Sequence, residues 1–295
     1  MDIKWVLHRC EEVMALPIEQ ANALKWIEAC GRIAYRSEDK IGPGSDKKLI
    51  NMLHKLGHWS VFGHSNITLR LKSALEISNW KGFIYRNPHE SSFHRWIERD
   101  GELFINGNFT AWMKTMLTKD RYLNFLQPIF KSLPFEYDTN DPRVVSSIKD
   151  IPEQLIRVTC IYTTNRLITH ELVRHRPVAD YTQESTRYCI YRDEVHLCEH
   201  NASAFENAMP HIEDAFNEYN KLLKSGLSRE YARGVLPHLL AAKIAVTHDI
   251  GNEKYGWKYI YKLRTSKGAA PQIRDLMYQT KDKIKHEYGI DIAEG

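Results

Sequence analysis

The chain has 295 residues, 43% of them hydrophobic and 26% charged. That balance suits one large or two small soluble domains and excludes a disordered chain. The formal charge of +4 is a mild excess that suits small polyanions such as nucleotides at least as well as DNA or RNA, and no dense Lys/Arg block argues for a nucleic-acid tail.

The first helical stretch is expected from about Ile18 to Tyr35, where Ala23, Trp26, Ile27, Cys30 and Ile33 recur at helical spacing. A Gly/Pro/Ser loop at 41–45 precedes a second helix through Leu49, Met52 and Leu53. Ile67, Leu69 and Leu71 alternate with polar residues, as in a half-buried strand. The stretch from about 75 to 152 is aromatic-rich and broken by Pro and Gly. In it, Asn106-Gly107 reads as a turn before a short helix holding Trp112 and Met113. A second strand places Ile156, Val158, Cys160 and Tyr162 inward, then feeds a helix from about Asn165 to Arg176 that Pro177 would end. Ser203 and Glu206 have the spacing of a capping box for a helix reaching Lys224 and stopped by Gly226. Ser228 would cap another helix through Tyr231, Val235 and Leu239, kinked at Pro237. The last helix runs from Pro271 to about Gly289. The pattern is mixed α and β, with long helices and few strands.

The five cysteines (Cys10, Cys30, Cys160, Cys189, Cys198) are odd in number and never in C-x-x-C spacing, so neither a disulfide framework nor a zinc ribbon is expected. The opening MDIKWVLHRC has no apolar signal core, and no window approaches the ~20 apolar residues of a membrane span. A cytoplasmic location is expected.

The chemistry concentrates in His170–Tyr188, HELVRHRPVADYTQESTRY. On a helix, Glu171, Arg174 and His175 share a face, and Leu172 and Val173 turn to the core. Arg174, His175 and Arg176 together offer fork-shaped donors suited to a phosphate or an electron-rich heterocycle. The same three also fit a solvated basic helix end favoured by the helix dipole. A zinc site is not expected, because His170 and His175 lie five apart, about 140° around a helix. Nor does a nucleophile elbow, a dinucleotide-binding glycine turn or a P-loop occur.

RHR, a spacer, then S-T-R-Y (Arg174–Arg176, Ser185–Tyr188) resembles the signature of flavin-dependent thymidylate synthases, with eight spacer residues where the family has seven. GRIAYRS (31–37), GHWSVFGH (57–64), ARGVLP (232–237) and LRTSKGAAPQIRDL (263–276) resemble further family segments in the same order. In these, Gly63 stands where the family has an acid, Gly268 where a histidine is common and Ala270 where glutamine is usual. The match covers about 20–72 and 153–290.

The resemblance implies a single catalytic domain over 1–295 with an insertion at about 75–152. It implies a mixed α/β fold, a central mostly antiparallel sheet flanked by long helices, assembled as a homotetramer with active sites between subunits. His64, Arg174, His175 and Arg176 are then the flavin (FAD) candidates. The dUMP candidates are Glu171, Arg174, Gln183, Glu184, Ser185, Thr186, Arg187, Arg233 and Arg264. Arg174, Ser185 and Arg264 would act in turnover, Ser185 not as a nucleophile; its plain alternative is a turn serine, and that of Arg233 and Arg264 a surface ion pair. The implied reaction passes the methylene of methylenetetrahydrofolate to dUMP, with NADPH reducing the flavin. No metal, nucleic acid or membrane is implied. Two other readings remain: a sister flavin enzyme that hydroxymethylates a pyrimidine nucleotide, and a non-catalytic nucleic-acid-binding module using the same arginines.

Overall fold

The computed structural model describes residues 1–16, 20–132, 136–176 and 179–294. In chain order these form β1 (Asp2–Val6), β2 (Arg9–Leu16), α1 (Gln20–Ile33), α2 (Ser45–Lys55), β3 (Ile67–Leu71), α3 (Ala74–Arg86) and α4 (Pro88–Ser91). There follow β4 (Arg95–Arg99), β5 (Glu102–Gly107), α5 (Phe109–Leu117), β6 (Val144–Val145), β7 (Arg157–Asn165) and α6 (Arg166–Leu172). The chain closes with β8 (Asp180–Gln183), β9 (Glu194–Cys198), α7 (Met209–Lys224), α8 (Arg229–Ala232), β10 (Ala241–Asp249), α9 (Gly256–Arg264) and α10 (Pro271–Tyr288). No described helix is long and apolar enough to cross a membrane.

Mixed α/β architecture with antiparallel sheets is what the sequence leads one to expect, but the strands make two four-stranded sheets instead of one. The first has the order β2-β7-β10-β8, every pair antiparallel. β7 and β10 pair along nine residues, Asp249 opposite Arg157 and Ala241 opposite Asn165. Pleat alternation then gives the two faces different work. Val158, Cys160 and Tyr162 join Ile244, Val246, Ile273, Leu276 and Ile284 in a core under α9 and α10. The opposite face carries Arg157, Thr159, Thr247, Asp249, Asp180 and Thr182, a polar row facing α1 and the 3₁₀ helix Trp59–His64.

The second sheet, β4-β5-β3-β6, is built largely from the 75–152 segment. Trp80, Phe83, Phe109 and Trp112 fill a core between it, α1 and α2. The hairpin β4–β5 turns at Asp100-Gly101, both at positive φ (53° and 76°). Asp-Gly between alternating apolar residues is the strongest short-range hairpin signal, one not used in the sequence reading above. A short parallel pair, β1 with β9, packs with α7.

Several expectations need correction. Asn106-Gly107 ends β5 and is not a turn; Asn108 caps α5, accepting from the Ala111 amide at 2.8 Å. The helix after β7 stops at Leu172, four residues short of Arg176, and Pro177 lies outside the described residues, as does Ile18. Ser203 and Glu206 sit in a 3₁₀ segment, 202–208, and Ser203 bonds Asn201 instead of capping α7. The expected helix through Leu239 breaks after Val235, ahead of Pro237, and the chain enters β10. α6 has its own cap: Asn165 accepts from the Ile168 amide at 3.0 Å and donates to the Cys198 carbonyl at 3.0 Å. Asn165→Ala should therefore cost about 1–2 kcal/mol, read as a lowered urea midpoint at unchanged slope.

Candidate functional site

β8 organises the site through its alternation. Asp180 and Thr182 point to the polar face, Tyr181 and Gln183 to the other. On that second side the Tyr181 hydroxyl donates to the His175 carbonyl at 2.5 Å and lies 3.1 Å from His248 Nε2. The Gln183 amide donates to Thr169 of α6 at 3.0 Å. β8 thus pins the turn that follows α6.

In that turn the described residues make no helix, yet Glu171 and His175 still meet, through Arg264 at the end of α9. Arg264 Nε donates to His175 Nε2 at 2.8 Å, and its terminal nitrogens donate to the Glu171 carboxylate and, at 2.9 Å, to the Glu171 carbonyl. An accepting Nε2 leaves the His175 proton on Nδ1. Burial, with Arg264 and Arg174 adding to it, lowers the His175 pKa to about 4, so the ring is neutral at physiological pH. Arg174 and Arg176 are exposed beside it. Arg174, His175, Arg264, Lys254, Tyr259 and Gly268 line a cavity of about 630 Å³. Its cationic wall with one tyrosine suits an anionic or electron-rich planar ligand.

His64 takes a different place. It is fully buried, with Nδ1 2.7 Å from Thr247 and Nε2 2.8 Å from Thr182. Burial, with Arg157 adding to it, lowers its pKa to about 3. Both ring nitrogens are engaged, so within one chain His64 presents no atom to a ligand and acts as a spacer between β8 and β10.

The remaining candidates form a second group. Ser185 is held by its amide to the Ala34 carbonyl (3.0 Å), and its hydroxyl accepts from the Arg187 amide (3.2 Å), a turn geometry with no base beside it. Arg187 pairs with Glu230 at 3.2 Å, and Arg233 reaches Thr186 at 3.4 Å. Glu184 is buried under Tyr191, whose hydroxyl donates to it at 2.5 Å. Tyr35, Trp59, Tyr181, Gln183 and Tyr188 line an aromatic groove of about 660 Å³. One chain therefore joins Glu171, His175 and Arg264, and separately Thr186, Arg187 and Arg233. Sequence reasoning did not single out Arg157, Asp180, Tyr181 or His248; the D-Y-T-Q alternation was the available signal.

Residues 152–288 match the family described as thymidylate synthase complementing protein. The flavin-dependent thymidylate synthase of Saccharolobus solfataricus is 30% identical over 162 residues, 51% of this chain and 60% of that protein. That of Geobacter sulfurreducens is 35% identical over 132 residues, 37% of this chain and 55% of that one, and that of Pyrococcus abyssi 29% identical over 128 residues, 41% and 50%. The chain spans about half to three-fifths of the length of these relatives. Among solved structures, a UMP/dUMP methylase from Streptomyces cacaoi aligns at a TM-score of 0.40 and 20% identity, over 46% of this chain and 71% of that one.

Proposed function

Because residues 152–288 of this chain match the thymidylate synthase complementing protein family, we propose that the protein is a flavin-dependent thymidylate synthase. In this reading it converts dUMP to dTMP, taking the carbon from methylenetetrahydrofolate and the hydride from FAD reduced by NADPH. The observation that carries it is that His175 and Arg264, the latter braced by Glu171, line one cationic cavity with the exposed Arg174.

The residues present fit a flavin. The cavity offers guanidinium donors against a neutral imidazole, and a separate groove offers tyrosine and tryptophan faces for a flat ring. Arg174, His175 and Arg176 would hold the cofactor. Bound and reduced, it would supply the hydride. The chain's own residues bind and orient. Glu171 holds Arg264 in a fixed fork, so little side-chain freedom is lost when a phosphate or a uracil edge arrives. Arg174, Arg187, Arg233 and Ser185 would complete the dUMP site with Thr186, Gln183 and Glu184. His64 enters as a positioning residue.

The separation of the two groups supports a homotetramer with shared sites, each cavity completed by the Thr186–Arg233 surface of another subunit. Tyr188, Ile190 and Tyr231 around that surface are exposed in the single chain and would be covered there. The 75–152 segment, which shares its core with α1, α2 and β3, is read as an insertion into one catalytic domain. The direct test is a titration of purified protein with FAD, followed by absorbance, then addition of dUMP. Saturable flavin binding with a dUMP-dependent spectral change supports the proposal. No flavin binding at all overturns it.

A further inference from the structure

On the polar face of the first sheet, one guanidinium serves two carboxylates. Arg157 donates to Asp249 at 3.1 Å and to Asp180 at 2.7 Å, and Asn108 donates to the same Asp180 oxygen at 3.0 Å. Asp249 and Arg157 are buried, and Asp180 is partly so. The Asp180 carboxylate lies against the backbone of Gly63. A Cβ built at Gly63 would fall inside that carboxylate and 2.7 Å from the Asp180 Cβ. Any side chain at 63 would therefore aim at the spot where Asp180 meets Arg157. Gly63 has no positive φ, so backbone conformation does not account for glycine there; the close approach does.

We propose that Asp180 is a positioning residue for the arginine-bearing turn, and that Gly63 and Asp180 form an interdependent pair in which a single carboxylate, deliverable from either position, meets Arg157. The inference rests on the functional reading above for its effect on ligands. Its geometric basis is separate. Asp180 opens β8 four residues after Arg176. It ties the strand to Arg157 on one face, and its neighbour Tyr181 ties the His175 carbonyl on the other. The turn with Arg174 and His175 is thus held from its C-terminal side by two consecutive residues pointing in opposite directions. With Asp180 displaced, Arg157 keeps Asp249, but β8 loses its side-chain tie to β7 and its backbone is held only by its pairing with β10, which lets the turn shift. Positions held to within a fraction of an ångström are what a phosphate-and-ring site requires.

The test is a double-mutant cycle on the full chain: Gly63→Asp, Asp180→Gly and the two combined. Each single variant is expected to raise the KM for dUMP at least tenfold with kcat changed less. Each should also speed amide hydrogen exchange in residues 172–176 and 179–182. The double variant should return both readouts to within about threefold of the parent. An isosteric Asp180→Asn variant, which keeps the shape and loses the charge, should fall between. A double variant no better than the worse single one overturns the pair, as does unchanged exchange in both single variants. If the parent binds neither flavin nor dUMP while exchange still follows the cycle, the pair stands and the functional reading falls.

Discussion

Arg264→Ala is expected to lower dUMP affinity about 100-fold at a moderate cost in stability. Arg264 donates three hydrogen bonds, to the Glu171 carboxylate, the Glu171 carbonyl and His175 Nε2. In the proposed complex this fork meets the nucleotide, and charge-assisted hydrogen bonds are worth about 1.5–3 kcal/mol each. Loss of one or two such bonds gives roughly 10- to 100-fold or more in affinity. The cost in stability is about 1–3 kcal/mol: water takes over the 30% exposed Glu171 carboxylate, but the buried His175 Nε2 loses its donor. The variant has a second signature. Arg264 is one of the charges that lower the His175 pKa, so its removal should move that pKa up from about 4, measured by NMR titration. Arg264→Lys should recover only part of the affinity, since an ammonium cannot reproduce the fork. Unchanged dUMP affinity in Arg264→Ala would remove this residue from the site.

Arg157→Leu should act the other way, with a large stability loss. The side chain is 3% exposed and its partner Asp249 fully buried. Removing one partner of a buried ion pair leaves an uncompensated charge and costs about 3–5 kcal/mol. The pH dependence gives the sign. Burial pushes the Asp249 carboxyl up to about 6 even with Arg157 opposing it. A carboxyl raised in the folded state contributes stability that is complete below its unfolded pKa and is lost as pH rises through about 6. Without Arg157 the folded pKa climbs further, and protonation relieves the stranded charge at low pH. The stability gap between parent and variant should therefore widen from pH 5 to pH 8 in urea unfolding. A gap that is flat, or that narrows with rising pH, would contradict the assigned charge states.

What the sequence disclosed was contiguous. β3, α2, α10 and the inward face of β7 declared themselves by periodicity, and Pro271 and Gly289 bracket α10 as their chemistry demands. β10 did not: Ala241–Asp249 begins Ala-Ala-Lys, good helix formers, and is a strand because β7 and β8 pair on its two sides. α9, which delivers Arg264, likewise carried no cap signal, since Tyr255 at its N-cap makes no side-chain bond. The helix spacing read from the arginine-rich motif put Glu171 beside His175 for a partly wrong local reason. Glu171 and His175 were placed together by helix spacing, but Arg264, 89 residues beyond His175, brings them together. The D-Y-T-Q alternation could have put Asp180 on the polar face, but its contact with Gly63 is a relation that only folded proximity creates.

The measurement that bears most directly on the central claim is product formation. Purified protein with FAD, NADPH, methylenetetrahydrofolate and dUMP should oxidise NADPH in a dUMP-dependent manner and yield dTMP. NADPH oxidation that yields hydroxymethylated nucleotide, or none, would contradict thymidylate synthesis by this chain.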